Sequence, residues 1–150
     1  FIGDGNNMMN SLIVGGLKVG MSVSVACPQG YRPPQEILEF AAGYGDKFEL
    51  TDSPLQAAKD ADVVITDVWT SMGQEEERQK RAGYCVDAKL MAQAKPDAMV
   101  QHCLPAHRGE EITEEVFEAN AQYIFEEAEN RLHAQKAVLV KTMGGASHGE

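Results

Sequence analysis

Phe1-Ile2-Gly3-Asp4-Gly5-Asn6-Asn7 reads as the end of a β-strand, a glycine-rich turn and the start of a helix, and this junction decides the fold. Beyond it, Met8, Met9, Leu12, Ile13 and Leu17 fall close to one helical stripe, and Gly20 follows as a terminator. The strand shows its end without its beginning, so the chain is expected to start inside a larger protein.

The same alternation continues downstream. Ser22 to Ala26 reads as a strand, and Pro33-Pro34 opens a helix that runs through Ala42 to the Gly43 and Gly45 pair. Phe48 to Thr51 is a strand, and Ser53 caps a short helix that begins at Pro54. Val63-Val64-Ile65-Thr66 is a β-branched, buried strand that ends at Asp67. Residues 68–83, with Ser71-Met72-Gly73 and the polar run from Gln74 to Arg81, read as a long loop with a helical piece, longer than most connections in compact domains. Then come a helix from Val86 to Ala94, a strand from Ala98 to Gln101 and a helix from Thr113 to Asn120. A last strand at Tyr123-Ile124-Phe125 and a helix from Glu127 to Thr142 complete the chain.

Strands alternating with helices imply a parallel sheet covered on both faces by right-handed crossovers. The expected architecture is α/β: one domain with a doubly wound, Rossmann-like parallel sheet in three layers, αβα. Counting the opening strand as the first, an order of 3-2-1-4-5 brings together the carboxyl ends of strands one, four and five. These ends carry Asn6-Asn7, Asp67 and His102-Cys103, and open parallel sheets bind their ligands at such a place.

Composition narrows the function. The 150 residues carry a formal charge of −10, which argues against nucleic acid and favours basic ligands. No stretch reaches the roughly eighteen apolar residues of a membrane span. The three cysteines, Cys27, Cys85 and Cys103, lack a Cys-x-x-Cys spacing and suit a reducing cytoplasm better than a disulfide framework. Cys27 and Cys85 read as structural, and His133 and His148 as surface residues. The four histidines lack metal-ligand spacing, so no metal is expected. Gly3-Asp4-Gly5 begins a dinucleotide fingerprint, but its third glycine falls at Met8, and Ala26-Cys27 stand where a ribose-binding acid belongs. No cofactor is expected.

Asn7 either caps the first helix or holds an amino-acid head group with its amide. Asp67, after an apolar strand and before Trp69, either caps a loop or awaits a cation, because an unpaired buried carboxylate is costly. Cys103 is either an inert thiol or, with His102, His107 and Arg108 nearby, a thiolate. Leu104-Pro105 is a candidate cis peptide whose carbonyls could receive a ligand's N–H groups.

Taken in order, Gly3-Asp4-Gly5-Asn6-Asn7, Asp67-Val68-Trp69-Thr70-Ser71-Met72-Gly73, His102-Cys103-Leu104-Pro105 and Glu127-Ala128-Glu129-Asn130-Arg131 resemble the C-terminal, ornithine-binding half of the ornithine carbamoyltransferase family. The resemblance covers essentially residues 1–150. It implies transfer of a carbamoyl group from carbamoyl phosphate to the side-chain amine of L-ornithine, giving citrulline and phosphate in arginine metabolism. By resemblance, Asn7, Ser71 and Met72 hold ornithine, and Asp67 engages its amine. Cys103 stands beside that amine, the Leu104 carbonyl receives the carbamoyl NH2, and Arg131 contacts carbamoyl phosphate.

The family's Ser-Thr-Arg-Thr phosphate motif is absent from this sequence. The resemblance therefore implies that an N-terminal carbamoyl-phosphate domain is missing, that these residues alone are essentially inactive, and that the parent is a cytoplasmic homotrimer or multiple of trimers. Transfer to putrescine or acetylornithine, a non-catalytic amino-acid-binding module and a nicotinamide-binding module are the alternatives.

Overall fold

The computed structural model describes residues 1–69 and 83–143. Helix α1 (Asn7–Lys18) leads to β1 (Val23–Ala26), α2 (Gln35–Ala42), a 3-10 turn (Gly45–Lys47), β2 (Phe48–Thr51) and α3 (Pro54–Ala57). After β3 (Val63–Thr66) come α4 (Ala88–Met91), β4 (Met99–His102), α5 (Glu114–Ala119) and the long α6 (Ala121–Met143).

β1 and β2 pair in parallel with Val23 opposite Phe48, and β3 and β4 pair in parallel with Val63 opposite Met99. Ile2 joins the two pairs by bridging to both Ala26 and Thr66. Its N–H donates to the Ile65 carbonyl at 2.9 Å, while the Gly3 N–H donates to Ala26 at 3.0 Å. The order β2, β1, Phe1–Gly3, β3, β4 is the expected doubly wound arrangement. Side chains alternate across the sheet as a period of two demands. Val25 joins Met9, Ile13, Leu17 and Ala41 on one side, and Ala26 joins Ile2, Val64, Val100 and Ile124 on the other.

Two glycines make the first turn possible. Gly3 sits at φ +143°, where side chains are strained, and a Cβ on Gly5 would stand 2.3 Å from the Tyr31 carbonyl oxygen. Asn6 then caps α1, its Oδ1 accepting from the Met8 and Met9 N–H groups at 3.0 and 3.1 Å. Asn7, the residue expected either to cap this helix or to hold a head group, is not the cap but the first, exposed helical residue.

Two expected elements are different. Tyr123-Ile124-Phe125 is the first turn of α6 rather than a strand. The outer edge of β4 has no room for another strand, because the Asn120 side chain accepts the Val100 N–H at 3.2 Å, and only Ile124 of the three is buried. The helix expected from Val86 to Ala94 shrinks to Ala88–Met91. Val86 instead bridges to Ile112, and the Asp87 carboxylate caps the helix by accepting from the Leu90 N–H at 2.8 Å. The loop expected at residues 68–83 falls largely outside the described residues, and with it Ser71 and Met72. His148 lies outside them too.

Candidate functional site

The carboxyl ends of Phe1–Gly3, β3 and β4 converge as the doubly wound order requires. Asp67 stands directly after β3. Its Oδ1 accepts from its neighbour Val68 N–H at 2.8 Å and from the Cys103 thiol at 3.0 Å, and its Oδ2 accepts from the Asn6 amide at 2.9 Å. The first turn, the end of β3 and the end of β4 are thus tied together through one carboxylate. The Asn6 side chain does two jobs, since its oxygen caps α1 while its NH2 orients Asp67.

The Cys103 environment corrects the thiolate expectation. Burial, the hydrogen bond to Asp67 and the charges of Asp67 and Glu127 together push the thiol up to about 12. The cations expected to activate it point elsewhere. Arg108 turns onto α5, where it pairs with Glu118 at 2.6 Å and Glu114 at 3.5 Å and lies 4.6 Å over the Phe117 ring. His102 is wholly buried, with Nε2 3.0 Å from Glu111 Oε1, and its Nδ1 accepts from the Leu104 N–H at 2.9 Å. That pattern assigns the ring proton to Nε2. Cys103 at neutral pH is a neutral S–H donor.

Glu111 is a residue the sequence reading passed over. It is fully buried, and its Oε1 also accepts from the His107 N–H at 2.6 Å. Burial alone would raise its proton affinity, but the hydrogen bonds from His102 and His107 prevail and hold its carboxyl below the ordinary range. The His102–Glu111 pair therefore clamps both ends of the turn 103–107. Within this turn Leu104 adopts φ +56° and the Leu104-Pro105 peptide is cis, as expected. Asp67, His102 and Cys103 lie close enough to suggest a metal set, as do His107, Glu110 and Glu111. Both nitrogens of His102 are already committed, however, so the first trio could recruit an imidazole ligand only by breaking a buried hydrogen bond.

Glu127 is the second residue that was passed over, although it opens one of the quoted motifs. It lies in the second turn of α6, which packs on β4. Burial raises its proton affinity, the His102 backbone opposes this, and the Asp67 charge adds to it. Arg131, one turn further along α6, is exposed. His133, also exposed, lies 3.5 Å from Glu129. Trp69 is buried edge-on between Tyr31 and Tyr84, with ring centroids 5.8 and 6.2 Å away.

At the opposite, amino ends of the strands lies a mostly apolar cavity of about 590 Å³ lined by Phe1, Gly16, Val23 and Val63 among others. It contains none of the residues that meet at Asp67. Cys27, just past β1, is buried against apolar neighbours and pushed up to about 11, chiefly by that burial.

Residues 1–142 match the family model described as aspartate/ornithine carbamoyltransferase, Asp/Orn binding domain. The ornithine carbamoyltransferase of Methanosarcina acetivorans is 54% identical over 147 residues, covering 95% of this chain and 49% of that protein. That of Thermococcus kodakarensis is 49% identical over 153 residues, covering 97% and 49%. Among solved structures, the ornithine carbamoyltransferase from Pyrococcus furiosus superposes with a TM-score of 0.89 at 49% identity, over 97% of this chain and 49% of that one. The anabolic enzyme from Campylobacter jejuni does so with a TM-score of 0.86 at 46% identity, over 93% and 48%. The chain spans about half the length of the curated relatives it matches.

Proposed function

The chain belongs to the aspartate/ornithine carbamoyltransferase family, within its Asp/Orn-binding domain, and from that premise we propose that residues 1–150 form the ornithine-binding half of an ornithine carbamoyltransferase. The complete enzyme transfers the carbamoyl group of carbamoyl phosphate to the side-chain amine of L-ornithine, releasing citrulline and phosphate. The observation that carries this reading is the Asp67 carboxylate, held at the switch point by Asn6 and by the Cys103 thiol.

An alkylammonium with an ordinary pKa of about 10.4 must lose a proton before its nitrogen can attack a carbonyl carbon. Asp67 supplies the charge that draws the ammonium in, and its anchored oxygens set where that nitrogen sits. Cys103, as a neutral donor, steers Asp67 rather than attacking substrate itself. The Leu104 carbonyl, oriented by the His102 clamp, receives the carbamoyl NH2. Asn7, Ser71 and Met72 hold the amino-acid end, and Arg131 meets the phosphate.

Between the two substrates in the family's name, a crevice walled by Asp67 and Glu127 disfavours aspartate, whose second carboxylate would face like charge. Putrescine and acetylornithine also present an amine, and the Ser71-Met72-Gly73 stretch favours ornithine over them. One Arg131 is too little positive charge for a departing phosphate, so the remaining cations belong to a carbamoyl-phosphate domain outside residues 1–150. Helix α6 is suited to meet such a domain, since it leaves Phe125, Leu132, Val138, Val140 and Met143 more than half exposed. We further place the complete enzyme in the cytoplasm as a trimer or multiple of trimers. Among the described residues, no helix is long and apolar enough to cross a membrane.

The test is citrulline formation from ornithine and carbamoyl phosphate. This chain alone and chain mixed with the separately expressed carbamoyl-phosphate half of a relative are the two arms. Activity in the mixture only is the expected result. Activity in the chain alone would overturn the claim that it is half of the catalyst, and activity with putrescine or acetylornithine in place of ornithine would reassign the substrate.

A further inference from the structure

The proposed reaction needs a proton acceptor for the substrate ammonium, and Asp67 is already engaged by three donors: Asn6, Val68 and Cys103. A second carboxylate stands nearby. Glu127 has one oxygen, Oε2, that is buried without a hydrogen-bond partner among the described residues. Its helix packs on β4, the strand that ends at His102 and leads into Cys103, and it feels the charge of Asp67, which sets it beside the same crevice. The titratable groups that bear on it are Asp67 from the end of β3 and His102 and Cys103 from β4 and its following turn, while Arg131 stands a turn away on α6 itself.

Building on the ornithine reading, we infer that Glu127 completes the amine end of the site: with Asp67 it holds the incoming alkylammonium, and through Oε2 it takes the proton that the nitrogen must lose. The N–H bond of the ammonium breaks, its electron pair stays on nitrogen, and the proton passes to the carboxylate to give a neutral acid. The free amine then forms the new C–N bond as the C–O bond to phosphate breaks. The amine's second proton leaves on the phosphate, and Glu127 returns its own proton to water after product release. A carboxylate suits this step when its proton affinity is above the ordinary, and burial beside Asp67 moves Glu127 in that direction. An oxygen with no partner among the described residues can meet the substrate without first breaking a bond to any of them.

The test compares the complete enzyme with its Glu127→Gln and Glu127→Asp variants on two amines. Ornithine arrives protonated at neutral pH, whereas its aminooxy analogue arrives as the neutral amine and needs no acceptor. Glu127→Gln should lower kcat/KM for ornithine by about a hundredfold near pH 7. That loss should shrink as pH climbs toward the amine's own pKa of about 10.4. The aminooxy analogue should lose less than about threefold, and Glu127→Asp should recover part of the ornithine rate. Equal losses on both amines, or an unchanged pH profile in Glu127→Gln, would overturn the acceptor role while leaving the ornithine reading intact. A complete wild-type enzyme that carbamoylates neither amine would overturn both.

Discussion

The two halves of the sheet are built from the same parts and do different work. In the β1–β2 half, the strand ends meet α1 and α2 through Met9, Ile13, Leu17, Val25, Cys27 and Ala41, all fully buried and apolar. In the β3–β4 half the same edge carries Thr66, Asp67, His102 and Glu111, the four buried polar residues among the described residues. Two free cysteines at equivalent strand ends show the contrast. Cys27 and Cys103 each follow a strand directly and each thiol is pushed up, but Cys27 by apolar surroundings chiefly and Cys103 by burial together with a hydrogen-bonded carboxylate. A strand end becomes a site when its polar groups are partnered well enough to stay buried, and an apolar strand end is only core.

That contrast can be broken or sharpened by substitution. The largest effect is expected at Asp67. Asp67→Asn in the complete enzyme should cut citrulline turnover by at least about a hundredfold, because it removes the charge proposed to face the amine. Near-normal turnover would erase the functional difference between the halves. Next, Glu111→Ala leaves the buried His102 Nε2–H and the His107 N–H without their acceptor, each costing about 1–3 kcal/mol of stability, measured by urea unfolding. Ile13→Ala in the other half should cost about 2–5 kcal/mol by leaving a cavity, and should leave the site's geometry in place.

Acid should also distinguish the halves. The carboxyl of Glu111 is held below its ordinary value of 4.5, so its contribution is fully present above that pH and is lost as pH falls through the lower, folded value. Hydrogen exchange below about pH 4.5 should therefore open the 102–111 turn before it opens β1 and β2. Opening in the reverse order would count against the clamp. The smallest effect concerns Cys103: because it is a neutral thiol at neutral pH, Cys103→Ser, which keeps a donor for Asp67, should leave the pH profile of turnover unchanged. A shifted profile would restore the thiolate.

Much of the fold was legible because it rests on local signals. Alternating apolar strands and capped helices gave the parallel, doubly wound sheet, and Gly3-Asp4-Gly5 gave the turn, since Gly5 must let the backbone of Tyr31–Pro33 approach. Asp67 and Cys103 were legible because each follows a strand whose end the topology directs to the crevice. The electrostatics of Cys103 were not, because proximity in sequence to Arg108 and His107 says nothing about which way those side chains turn, and Arg108 turns onto Glu114 and Glu118. Glu111 and Glu127 were hidden for a related reason. Both sit in the acidic run from Glu110 to Glu129, and only tertiary packing against His102 and β4 takes them out of water. The strand expected at Tyr123–Phe125 failed because three adjacent apolar residues fit a helix turn with one buried member as well as a strand.

The most direct measurement is amide and side-chain chemical-shift mapping of this chain as millimolar L-ornithine is added, with Asp67→Asn as the control. The account predicts shifts at Asn6, Val68, Cys103 and Leu104 that vanish in Asp67→Asn, with β1, β2 and the cavity at the amino ends silent. Shifts centred on Cys27 or on that cavity, or shifts at the β4 turn that survive in Asp67→Asn, would contradict it.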